Sequence, residues 1–282
     1  MKRVLTAIVL IAAVLALIVY GQLWMITLFA AILAVLAGFE YRQLANVGAS
    51  GRGRIPLWWM MLGIVVLFLA TFYRPNETLL VISALGMVLF AWSGFRSPLE
   101  RILPVTAAGV FGLLYVAYPL TLLPLLWMHE DGTALLLFLL VCVWAGDIAA
   151  LYIGRAFGKR KLAPRLSPGK TWVGAVASIF GSVLAAYGVV ELSDLLTSHG
   201  NTLLHITEPV WQTFVLAAIL NIAAQIGDLL ESAIKRSAGV KNSGSMLPGH
   251  GGILDRIDAL LLATPVLWYA LLIKDSFGSG RF

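Results

Sequence analysis

Nine stretches of this chain are apolar almost throughout: residues 4–20, 22–39, 55–73, 78–95, 102–128, 133–153, 171–190, 209–230 and 254–273. About 20 helical residues rise roughly 30 Å, so each stretch is long enough to cross the hydrocarbon core of a bilayer. In lipid every backbone N–H and C=O must be satisfied within the protein, which leaves helices as the form such runs adopt. The expected fold class is therefore all-α: a polytopic membrane protein with about nine transmembrane helices. With only 12% of residues charged, no segment is polar and long enough for a separate soluble domain. The fifth run carries Pro104, Pro119 and Pro124, so a kink or break is expected inside it. The single cysteine, Cys142, sits within a run, which excludes a disulfide framework and a cysteine-rich metal site.

A net charge of +6 would suit a nucleic-acid partner, but its distribution points to membrane topology instead. With the N-terminus cytoplasmic, all but three of the 20 basic residues fall on the cytoplasmic side; Arg74, Lys274 and Arg281 are the exceptions. Met1-Lys2-Arg3 before an apolar stretch resembles a signal peptide, yet no small-residue cleavage site follows, and an uncleaved first helix is expected. The polar motifs concentrate late in the chain. Residues 1–130 are expected to form a lipid-facing scaffold and dimerisation region, and residues 131–282 the catalytic region.

Three segments carry chemistry. The first, NIAAQIGDLLESAIKR at residues 221–236, places Asn221, Gln225, Asp228, Glu231, Ser232 and Lys235 on one helical face. A charge in hydrocarbon costs at least ~2.5–3.5 kcal/mol on insertion scales, so such acids need partners or a wet cavity. The stripe reads as helix–helix glue, as an interfacial helix end with a solvated face, or as the wall of a site.

The second segment is KNSGSMLPGHGGILDRID, residues 241–258. Asp255 and Asp258 share a face at the start of the last apolar run, after a loop whose glycines let the backbone approach a ligand closely. Paired carboxylates without thiolates or clustered histidines suit a hard cation such as Mg²⁺. Asp228 and Asp255 are the expected metal ligands, with Glu231 and Asp258 nearby. Lys235, Arg236, Lys241 and Arg256 are interleaved with these acids, a mixture suited to phosphoryl chemistry. His250 reads as a general base, a phosphate contact or a loop hydrogen-bonding residue.

The third segment, RAFGKRKLAPRLSPGKTW at residues 155–172, ends in Gly169-Lys170-Thr171. It is not a phosphate-binding P-loop: Pro164 stands where a glycine is needed, and no preceding strand is evident. It reads as a basic patch at the membrane surface. Asp147 lies within the sixth run, where an acid is a functional candidate by default.

These residues together resemble the phosphatidate cytidylyltransferase (CDP-diacylglycerol synthase) family. That signature runs Ser-x-x-Lys-Arg, then Lys-Asp, then Pro-x-His-Gly-Gly-x-x-Asp-Arg-x-Asp. Here it is matched by Ser232-Ala-Ile-Lys235-Arg236, Lys241-Asn242 and Pro248-Gly-His250-Gly251-Gly252-Ile-Leu-Asp255-Arg256-Ile-Asp258. The chain departs from the family at Asn242, Val173 and Leu151, where Asp, Glu or Gln, and Tyr are common. The resemblance implies that CTP and phosphatidate are joined to give CDP-diacylglycerol and pyrophosphate. It implies Mg²⁺ on Asp228 and Asp255, the number of cations being open, and phosphate contacts from Lys170, Lys235, Arg236 and Arg256. Ser232 would contact substrate or metal. Asp147, Ser167, Lys170, Thr171, Lys241, Gly251 and Gly252 are the candidate substrate-binding positions. It further implies a homodimer in a bacterial inner membrane with its site facing the cytoplasm, and no nucleic-acid partner. The alternatives are a related CTP-dependent membrane enzyme acting on another lipid, an inactive paralogue, and an ion-coupled transporter.

Overall fold

Every expected apolar run lies on a helix. The computed structural model describes residues 2–49, 51–201, 203–206, 209–246 and 251–278. In chain order the helices are α1 (Lys2–Tyr20), α2 (Leu23–Ala45), α3 (Leu57–Tyr73), α4 (Thr78–Arg96), α5 (Ile102–Gly112) and α6 (Tyr118–Met128). They continue as α7 (Gly132–Phe157), α8 (Trp172–Ser198), α9 (Val210–Ser237) and α10 (Leu254–Gly278). Among the described residues eight helical segments are long and apolar enough to cross a membrane, and α1 adds the shorter apolar stretch Ile11–Tyr20. Leu79, Leu80 and Met87 on α4, and Phe180 and Leu184 on α8, project outward. Apolar exposure on this scale is a liability in water and the expected surface in lipid. The chain is an integral membrane protein.

The expected break in the fifth run takes a specific form. Helices α5 and α6 are joined without a gap by a π-helical turn, Leu113–Ala117, just before Tyr118-Pro119. Proline has no N–H to donate and its ring clashes with the carbonyl four residues back; widening the preceding turn relieves both.

The loop before α8 holds a structure that the sequence did not disclose. Strands β1 (Lys161–Ala163) and β2 (Ser167–Thr171) pair antiparallel, with Lys161 opposite Thr171 and a register irregularity before Ala163–Ser167. A strand therefore does exist here, correcting the expectation of none. It carries Gly169-Lys170-Thr171 within itself rather than preceding it, so this is still no phosphate-binding loop.

The chain forms two compact units that interleave in sequence: Met1–Ile26, Leu126–Ser232 and Asp258–Phe282 in one, Thr27–Leu125 and Ala233–Ile257 in the other. In the first, α7 and α8 pack along their lengths. Glycines permit that contact: a Cβ on Gly154 would lie 3.2 Å from both Gly174 Cα and Thr171 Oγ1. Helix α9 is tied on by Asn221, whose amide donates to Ser178 Oγ (3.0 Å) and Ser182 Oγ (2.8 Å). Gln225 extends this ladder, donating to Asn221 Oδ1 at 2.6 Å and Ala175 O at 3.2 Å. In the second unit, α4 packs on α3 and α5. Trp59 Nε1 donates to Leu85 O at 3.2 Å, and Tyr41 on α2 donates to Ala108 O at 2.8 Å.

Gly146 on α7 is the opening for the Asn221 amide: any Cβ there would overlap Asn221 Nδ2 and come within 2.9 Å of Ser178 Oγ. Gly146→Val is expected to destabilise the protein by about 1–3 kcal/mol through overpacking. Thermal unfolding in detergent measures this; an unshifted melting curve would show that the amide ladder accommodates a side chain.

Candidate active site

A cavity of about 480 Å³ opens among α7, α8, α9 and the hairpin, lined by Asp147, Ser167, Lys170, Thr171, Gln225 and Asp228 among others. Each wall has a local cause. Thr171 ends β2 and starts α8, its Oγ1 accepting from Gly174 N at 3.1 Å as an N-cap. That fixes the strand-to-helix corner. Trp172 N closes the hairpin base on Arg160 O (3.1 Å), and the Arg160 guanidinium sits 6.0 Å from the Trp172 ring centroid. Lys170, one residue before the cap, is thereby directed to Asp228 on α9, with Nζ 2.6 Å from Oδ2. An anion entering this cavity meets an ammonium; a cation meets the carboxylates of Asp147 and Asp228.

The second unit contains another ion pair of the same kind. Lys235, near the end of α9, places Nζ 2.6 Å from Asp255 Oδ1, and both side chains are nearly enclosed at 11% and 9% exposure. The other carboxylate oxygen, Oδ2, accepts from Gly252 N (2.9 Å) and Ser243 N (3.0 Å). Gly251 has φ +82°, a conformation L side chains rarely adopt, and a Cβ there would lie 2.7 Å from Asp255 Oδ2. The glycine is what lets the loop close over the carboxylate. Three donors therefore hold Asp255 as an oriented anion.

Carboxylates and lysines are thus brought together at a cavity and at a loop of membrane-embedded helices. A sequence model described as the cytidylyltransferase family matches residues 1–274. The chain belongs to the cytidylyltransferase family. Among its relatives is a phosphatidate cytidylyltransferase of Brucella suis, 35% identical over 94% of this chain and 91% of that protein. Others bearing the same name are from Haemophilus influenzae (33% identical, 95% and 97% covered) and Thermotoga maritima (34% identical, 97% and 96% covered).

In this cytidylyltransferase-family chain, the expected residues fall into the two groups just described. Asp147, Ser167, Lys170, Thr171 and Asp228 surround the cavity of the first unit. Lys235, Gly251, Gly252 and Asp255 form the loop cluster of the second. Glu231 and Ser232 are buried on α9. Asp258 accepts from Ala259 N at 2.8 Å, and its backbone carbonyl packs against Gly227. Arg236, Lys241, Asn242 and Arg256 are exposed, with Arg236 Nη1 donating to Val240 O at 2.9 Å. His250 lies outside the described residues. On the polar stripe of α9, Asn221 and Gln225 bond the helix to α8, while Asp228 lines the cavity.

One residue escaped sequence reasoning. Glu40, near the end of α2, is 1% exposed and accepts from Ser243 Oγ (2.9 Å), Ile253 N (3.1 Å) and Leu254 N (2.9 Å). The only trace in the sequence is an acid immediately after an apolar run; its partners lie more than 200 positions away, beyond any spacing argument.

Proposed function

We propose that the protein is a phosphatidate cytidylyltransferase, converting CTP and phosphatidate to CDP-diacylglycerol and pyrophosphate. The observation that carries this is the Lys170–Asp228 pair on the wall of a 480 Å³ cavity built among membrane helices. A polar, phosphate-compatible site among membrane helices suits a substrate whose tails remain in lipid. The names of the three relatives support the same reaction.

In the reaction, a phosphate oxygen of phosphatidate attacks the α-phosphorus of CTP in line. A new P–O–P bridge forms, the bond from the α-phosphorus to the β-bridging oxygen breaks, and pyrophosphate leaves. No protein nucleophile is needed, so the chain contributes position and charge. Lys170 and Lys235, with Arg236 and Arg256, neutralise phosphate oxygens, and Ser167, Thr171, Lys241, Gly251 and Gly252 line the substrate path. Ser232 contacts substrate, and Asp147 completes the acidic side of the cavity. His250 serves as a phosphate contact or general base.

The family resemblance assigns a divalent cation, Mg²⁺, to Asp228 and Asp255, with Glu231 and Asp258 as further carboxylates. The donor chemistry fits: Asp228 and Asp255 each already hold an ammonium at 2.6 Å. Among the described residues no group of three or more His, Cys, Asp or Glu gathers within either unit. That suits Mg²⁺, which is commonly held by one or two carboxylates plus substrate phosphates and water. When bound, the ion supplies charge neutralisation at the phosphates.

The basic residues support a cytoplasmic N-terminus and a site facing the cytoplasm in a bacterial inner membrane. The assembly is proposed as a homodimer. The test is detergent-solubilised protein given CTP, Mg²⁺ and phosphatidate, with nucleotide-lipid and pyrophosphate both measured. Equimolar products, abolished by chelation, are expected. Turnover with a polyprenol but not with phosphatidate would redirect the reading to another lipid. Solute accumulation in proteoliposomes without CTP turnover would replace it with transport.

A further inference from the structure

A carboxylate buried at the end of a membrane helix needs a reason. Glu40 uses both of its oxygens: Oε2 accepts from Ser243 Oγ and Leu254 N, and Oε1 from Ile253 N. Two of these donors are backbone groups at the start of α10, which a helix end otherwise leaves unsatisfied. The third, Ser243, also touches Asp255. Ser243 N donates to Asp255 Oδ2 at 3.0 Å, and Asp255 N donates to Ser243 Oγ at 3.3 Å. Gly244 and Gly252 press so closely on Glu40 that a Cβ on either would overlap its carboxylate oxygens. Among the described residues before Asp255, Ser243, Gly244, Gly252, Ile253 and Leu254 thus all gather around one anion supplied by a distant helix.

We propose that Glu40 is a positioning residue of the active site: through Ser243 and the amides of Ile253 and Leu254 it sets the orientation of the Asp255 carboxylate. The proposal rests on the cytidylyltransferase reading of Asp255. Glutamine is nearly the same size but presents one acceptor and one NH₂ group. Every donor around Glu40 needs an acceptor, so in Glu40→Gln an N–H must face an N–H or O–H. Aspartate keeps the charge but is one methylene shorter.

The test compares full-length wild type with Glu40→Gln, Glu40→Asp, Ser243→Ala and the Glu40→Gln/Ser243→Ala double variant. Each is assayed per folded molecule, taken from size-exclusion recovery and melting. Hydrogen exchange of residues 243–254 is followed in parallel. Glu40→Gln is expected to lower kcat by about 10–100-fold, the usual effect of losing an outer-shell partner. KM for CTP should change by less than about threefold, and exchange in the loop should quicken. The double variant should be no slower than about the slower single variant, because both changes break one chain of contacts. Wild-type kcat in folded Glu40→Gln, or multiplicative losses in the double variant, would overturn the positioning role. A wild type that forms no CDP-diacylglycerol would overturn the functional reading and this proposal with it. An active wild type matched by Glu40→Gln would overturn the proposal alone.

Discussion

Asp255→Asn is expected to lower CDP-diacylglycerol formation by about a thousandfold, the upper range for removing one preorganised electrostatic group. The carboxylate is held from both sides, by Lys235 Nζ at 2.6 Å and by two backbone amides at 2.9 and 3.0 Å. An asparagine amide turned either way sets its NH₂ against the lysine or against the amides. The substitution also removes the counter-charge from a largely enclosed ammonium, and breaking such a pair typically destabilises by about 3–5 kcal/mol. Loss of activity and loss of fold are separated by Asp255→Asn/Lys235→Met, which removes both charges at once. That double variant is expected to melt closer to wild type than Asp255→Asn does, and to remain inactive. Wild-type turnover in Asp255→Asn would remove Asp255 from the catalytic machinery, whatever its melting temperature.

The parts of this protein that could be read in the sequence are those encoded by local periodicity. Apolar runs gave the helices because hydrocarbon thickness fixes a length that the chain repeats. The 100° step of a helix put Asn221, Gln225, Asp228 and Lys235 on one face without reference to the rest of the fold. Pro104, Pro119 and Pro124 foretold a kink or break in the fifth run, though neither its place nor that it would be a π turn. What was illegible depends on contacts between distant segments or on elements too short to carry a pattern. The strands Lys161–Ala163 and Ser167–Thr171 are three and five residues long, and the second contains Pro168, so no alternation marks them. Glu40 carried no local signal because its donors come from the other end of the chain. The same holds for the ion pairs: the sequence supplied the lysines and the aspartates, but not which lysine meets which aspartate.

The Lys170–Asp228 pair separates stability from chemistry more sharply than Asp255 does. Its side chains are 25% and 37% exposed, and pairs this open contribute about 0–1 kcal/mol. Lys170→Met should therefore melt within about 1 kcal/mol of wild type. Yet Lys170 stands next to last in a strand that is fixed on both sides. The hairpin is closed at its base by Trp172 N on Arg160 O, and the Thr171 cap fixes the residue that follows. Such a support for one half-buried ammonium is hard to explain by stability and easy to explain by a phosphate. Lys170→Met is expected to reduce kcat/KM for CTP by about a hundredfold, within the range for losing one charge-stabilising donor. Lys170→Arg should recover only part of this, because a planar guanidinium does not replace a compact point charge. Steady-state rates over a range of CTP concentrations, set beside melting curves for both variants, decide the matter. A lower melting temperature with unchanged kcat/KM per folded molecule would make the pair a strut between hairpin and α9. The reverse pattern makes Lys170 a substrate contact that the resting protein keeps in place with Asp228.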